Sequence, residues 1–182
     1  MPLSLISRLC LSTGLLGVFV AGGCINPFAP ALDDGGLSSQ LITAQSTPEE
    51  ALVNFKYAYI FKDSLLYADL LDSSFVFQYF DPDQGASGIF VSWTREVDLQ
   101  TTGRLFRAFD VIGLEWLNTI SSCRDDNSCR NENEETLTKS FQLELASRDF
   151  HFSVSGLAAF TFRRSASDKK WRILLWLDKS DL

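Results

Sequence analysis

Cys123 and Cys129 stand six residues apart, with the polar run Arg124-Asp125-Asp126-Asn127-Ser128 between them. That spacing suits a short disulfide loop or half of a metal site. Structural zinc takes four Cys or His ligands. The chain has one histidine, His151, and no second cysteine pair in this region. A disulfide across a turn is therefore the expectation in an exported chain, contributing about 2 kcal/mol on the loop-entropy model. Asp81 and Asp83 begin like a calcium loop, but Gly85 and Ala86 take the next positions and Ser92 stands where a bidentate Glu is required. A plain turn is the better reading. No Ser–His–Asp ordering, phosphate-binding glycine loop or HExxH helix occurs. The motifs point to no catalytic set, no metal and no cofactor.

The chain of 182 residues is 46% hydrophobic and 13% aromatic, which is enough to bury a core, and its formal net charge is −7. Such an acidic chain without a basic run is repelled by phosphate backbones, so nucleic acid is not an expected partner. Arg8 is the only charge in the first 32 residues and precedes an apolar run from Leu9 to Ala21. That run is too short to span a bilayer, which takes about 18 to 20 apolar residues, but it suits a signal peptide over residues 1–23. Val20-Ala21-Gly22-Gly23-Cys24 resembles the bacterial lipobox, with Ala21 in the place usually held by Leu. The resemblance implies lipidation of Cys24, an anchor at a membrane and a cell-envelope location. Ile25-Asn26 after the cysteine favours the outer membrane in a diderm cell. Residues 24–46, rich in Pro, Gly, Ser and Gln, read as the lipidated cysteine and a flexible tether spanning roughly 25 Å.

A domain over residues 47–182 follows. Thr47-Pro48-Glu49-Glu50 is a capped helix start, and Leu52, Phe55, Tyr59 and Ile60 share one helical face. Lys62-Asp63-Ser64 interrupts, and Leu65 to Leu71 makes a second short helix. Phe75 to Phe80 is a strand ending in the turn Asp81 to Gly85. Trp93-Thr94 opens a third helix. Its first turn carries Glu96 and Asp98, Arg104 and Arg107 lie near its end as the dipole favours, and Val97, Leu105, Phe106 and Phe109 form its apolar side. Four long strands follow at Val111–Ile120, Thr136–Ser147, Phe152–Arg164 and Lys170–Asp178, linked as a meander of hairpins.

The capped helix TPEEALVNFKYAY, the segment DSLLYADLLDSSFVF, the helix start SWTREVDL and the ending KKWRILLWLD resemble bacterial lipoproteins with an NTF2-like (cystatin-like, SnoaL-like) domain. The resemblance implies an α+β cone: three N-terminal helices packed on a curved antiparallel sheet, in the order α-α-β-α-β-β-β-β. Such cones enclose a cavity, which in cyclases and isomerases of the superfamily holds an acid–base set. Tyr57, Tyr59, Tyr79, Trp93, Trp116, His151 and Trp176 are the candidates for lining it. Each also has a plainer role: Tyr57 and Tyr59 lie two apart, so at most one faces inward; Trp93 is a wedge at one end; the strand tryptophans are core pieces; His151 sits at a hairpin end. The favoured function is a tethered, non-enzymatic domain that binds a small apolar ligand or an envelope protein through its cone or sheet. A SnoaL or dehydratase-type enzyme using a carboxylate and His151 is the alternative, and a homodimeric structural component is a third.

Overall fold

The computed structural model describes residues 41–180. The expected signal peptide, Cys24 and most of the expected tether lie outside the described residues. The elements are α1 (Pro48–Ile60), α2 (Ser64–Leu70), β1 (Leu71–Asp81), β2 (Ile89–Thr94), α3 (Arg95–Ala108), β3 (Val111–Ser122), β4 (Glu134–Ala146), β5 (His151–Arg164) and β6 (Trp171–Asp178). The strands form one sheet in the order β2-β1-β6-β5-β4-β3, with the helices packed against it.

α1 begins where the sequence says it should. The Thr47 hydroxyl accepts from the Glu50 N–H at 3.2 Å, Pro48 occupies the first turn, and the Glu50 carboxylate accepts from the Ser46 N–H at 2.7 Å. Asp63 caps α2 through the N–H groups of Leu65 and Leu66. Both caps satisfy donors that a helix start leaves without partners. Phe55, Tyr67, Phe75, Phe160 and Phe162 are fully buried and tie α1 and α2 to the sheet.

Two expectations about the sheet need correction. It has six strands, because Ile89–Thr94 pairs antiparallel with β1 from Phe80↔Phe90 to Val76↔Thr94. Trp93 therefore lies on β2, and α3 opens only at Arg95. The sheet is also mixed, since β1 runs parallel to β6; the meander β3–β4–β5–β6 is antiparallel throughout. β2 escaped notice because its six residues are mostly exposed and show no buried alternation. Gly88 closes the hairpin with φ of 72°, and a Cβ there would run into the Phe80 ring.

The last residues of the stretch read as tether make hydrogen bonds to the domain. The buried amide of Asn54 accepts from the Thr43 N–H at 2.7 Å and donates to the Thr43 carbonyl at 3.1 Å. Gln45, only 2% exposed, takes the Trp171 N–H on its carbonyl at 2.9 Å and donates from its amide to the Trp171 carbonyl. Residues 43–46 are thus latched to α1 and β6.

Cys123 and Cys129 form the disulfide, with Cα atoms 4.7 Å apart. The loop it closes carries Arg124, whose guanidinium binds Glu135 through Nε at 2.8 Å and through Nη2. Glu135 is 3% exposed, so the loop places a cation over a buried carboxylate.

Candidate functional site

A cavity of about 270 Å³ lies between the sheet and the helices. α1 contributes Phe55 and Tyr59. Its sheet wall holds Phe77, Trp93, Trp116 and Trp176, with Phe141 and Val154 further along, and α3 closes it with Asp98, Thr102 and Leu105. The rings form a continuous belt. Phe77 stacks on Trp93 with centroids 4.3 Å apart and meets Trp176 edge-on at 5.0 Å; Phe55 touches Trp176 at 5.5 Å and Trp116 at 5.6 Å. Such pairs pack a wall rigidly and leave its interior apolar.

One carboxyl group sits in that wall. Asp98 is 3% exposed. Its Oδ2 accepts from the Tyr67 hydroxyl at 2.6 Å and its Oδ1 from the Trp93 indole N–H at 3.0 Å. Burial holds the Asp98 carboxyl above its ordinary range, against the pull of those two hydrogen bonds. The Tyr67 and Tyr59 hydroxyls are pushed up as well, first by burial; Asp98 adds to both, and for Tyr67 the Tyr59 neighbour counts more. Both phenols therefore stay protonated, and Tyr67 donates its proton to Asp98.

The polar groups of the cavity differ in how well they are satisfied. The Trp93 N–H is spent on Asp98 and the Trp116 N–H on the Leu52 carbonyl at 2.9 Å. Trp176 Nε1 and Ser180 Oγ are buried without a partner among the described residues. Ser180 reaches the cavity because Gly156 leaves it room; a Cβ at 156 would collide with its side chain. No Lys, Arg or His lines the cavity, whereas Asp98 and Asp178 do, and neither carboxylate joins an ion pair among the described residues.

A wider hollow of about 940 Å³ opens near the β5–β6 hairpin. Part of its charge is paired internally, with Arg172 holding Asp69 at 2.9 Å and Asp168 at 2.7 Å, while Arg95, Glu96 and Arg164 on the same lining join no ion pair among the described residues. The smaller cavity is walled by aromatic rings from the sheet and α1 around one buried carboxyl group, and it is the candidate site. Among the described residues there is no group of three or more His, Cys, Asp or Glu side chains placed to share a metal ion.

Of the residues singled out from sequence, Trp93, Trp116, Tyr59 and Trp176 line the cavity. Tyr57 does not; it stacks on Phe61 along the outer side of α1, with centroids 5.6 Å apart. This follows from the two-residue spacing, which turns it away when Tyr59 points in. Tyr79 packs beside Phe77 and Trp93 without forming part of the wall. His151 is exposed at the first position of β5, in register with Ala146, so the alternative that used it as an acid–base group loses that residue. Asp98 was missed because a first-turn acid is ordinarily explained by the helix dipole. The available signal was its spacing: Thr102 and Phe106 follow at four and eight residues, and all three are buried on one face. Val97, read as apolar side, is 47% exposed.

The chain has the NTF2-like fold. It resembles an NTF2-like superfamily protein from Salmonella enterica serovar Typhimurium, with a TM-score of 0.57 and 12% identity over 80% of this chain and 94% of that one. A proposed scytalone dehydratase from Novosphingobium aromaticivorans matches with a TM-score of 0.57 and 12% identity over 81% and 87%. A protein of unknown function with a cystatin-like fold from Nostoc punctiforme matches with a TM-score of 0.50 and 16% identity over 73% and 87%. No family model matches the sequence, and no curated protein does.

Proposed function

We propose that this chain is a lipoprotein of the bacterial cell envelope, anchored through Cys24, whose domain binds a small and largely apolar ligand in its cone without converting it. The observation that carries the reading is the aromatic cavity. Its volume of about 270 Å³ falls just under the usual ligand-pocket range of roughly 300–1,000 Å³, which limits the occupant to a one- or two-ring molecule or a short branched one. A carboxyl group already engaged by two donors, with no histidine or lysine beside it, serves better as an anchor than as a proton shuttle.

Calorimetric titration of the mature protein with phenol and benzyl alcohol tests this, with Leu105→Trp as the filled-cavity control. Saturable binding at micromolar to millimolar Kd, lost in the filled variant, is expected. Equal heats in both proteins would sink the claim. The anchor is tested separately by mass spectrometry of the mature N-terminus, where an unmodified Cys24 would contradict it.

A second reading has one observation in its favour. Asp98 is a carboxyl held above its ordinary range in an apolar wall, an environment that suits proton exchange with a carbon acid. The dehydratase-like neighbour makes cyclic hydroxy-ketones the compounds to screen. Turnover that disappears in Asp98→Asn would establish it over the binding role.

A further inference from the structure

Resting on that reading of the cavity, we propose that its ligand is a small organic cation, an ammonium-bearing molecule with a hydrogen-bonding oxygen, held in the aromatic belt against Asp98. Three features of the wall converge on this chemistry. The first is charge. Asp98 is buried at 3% exposure with no cationic side chain paired to it, Asp178 lies on the same wall, and no Lys, Arg or His lines the cavity. An anionic ligand such as a fatty acid or phosphate ester would meet two carboxylates and no counter-charge. A cation supplies the charge that the wall lacks.

The second feature is the belt itself. Three tryptophans, with Phe55, Phe77 and Phe141, surround the space. Aromatic rings with a carboxylate among them are suited to ammonium groups, because the ring quadrupole attracts positive charge most strongly where water is excluded. The third is the Trp176 N–H, the one indole of the cavity wall without a partner among the described residues. An ammonium group cannot satisfy it, since that group is itself a donor or carries no acceptor. Both that nitrogen and Ser180 Oγ are shielded from the open space of the cavity, so a hydroxyl, ether or carbonyl oxygen on the same ligand would satisfy either one through a small shift of the Trp176 or Ser180 side chain. The net charge of −7 further favours encounter with cations.

The test compares choline with its uncharged isostere 3,3-dimethyl-1-butanol, and both with phenol, by calorimetric titration of the mature protein. Choline should bind at least 10-fold more tightly than the isostere, and Asp98→Asn should bring the two within about threefold. A cooperative urea unfolding transition shows that the variant is folded. If choline binds no better than the isostere while phenol still binds, the cation inference is overturned and the apolar-ligand reading stands. If none of the three binds, both fall.

Discussion

Asp98 carries the largest consequences of any single residue. Its folded-state pKa lies above the ordinary carboxylate value of 3.8 because burial penalises the charged form. A raised carboxyl binds protons more readily in the folded than in the unfolded state. Its favourable contribution is therefore complete below that ordinary value and is lost as pH rises through the folded-state pKa. Asp98→Asn cannot ionise, so the stability of the wild type relative to the variant should shrink as pH rises over that interval. Urea denaturation of both proteins at a series of pH values measures this, and an advantage that grew with pH would contradict it. Asp69 has the opposite sign. Burial alone would raise it, but hydrogen bonds from Lys170 and Arg172 outweigh burial and hold it below 3.8. Its stabilisation is present above the ordinary value and fades as pH falls through the depressed one. The summed contribution of Asp98 and Asp69 therefore peaks near the ordinary carboxylate value, falling on the acid side through Asp69 and on the alkaline side through Asp98.

At the level of elements, the disulfide loop and the N-terminal latch define how the domain is closed. Removing the disulfide with Cys123→Ser and Cys129→Ser should cost about 2 kcal/mol for so short a loop, visible as a Tm lowered by several degrees. Arg124 would then lose its fixed position over Glu135. Restoring the Tm by oxidation in the wild type, but not in the double variant, separates the bridge from side effects of the serines. Asn54→Ala removes the buried partner of both Thr43 backbone groups and should cost about 1–3 kcal/mol, the usual penalty for orphaned buried polar atoms. A variant within 0.5 kcal/mol of the wild type would mean that residues 43–46 do behave as tether. The latch was invisible in the sequence because Gln45, with φ of 58°, makes its contacts with Trp171, 126 residues away. No local pattern encodes that pairing.

Across the whole molecule, legibility followed the periodicity of the chain. α1, α2 and the four long strands announced themselves through the caps at Thr47 and Asp63 and through alternation such as Leu137, Phe141, Leu143 and Leu145. β2 did not, because Ile89 and Phe90 stand exposed at a sheet edge and only pairing with β1 defines them. The cavity was half legible. Its tryptophans drew notice by type, but Asp98 was hidden behind an adequate local explanation, and His151 drew notice only by being the sole histidine. What turned the aromatic residues into a site was the sheet closing over α1 and α3, which is a property of the fold and not of any segment.

The four tryptophans provide the most direct test of a ligand-binding cone, because three line the cavity and Trp171 does not. Their indole N–H resonances can be followed in ¹H–¹⁵N NMR spectra of the protein during titration with phenol and then choline. Binding in the cone should move the signals of Trp93, Trp116 and Trp176, with Trp176 moving furthest as its unpartnered N–H gains an acceptor, while Trp171 stays in place. Four unmoved indoles, or a shift confined to Trp171, would contradict the central claim.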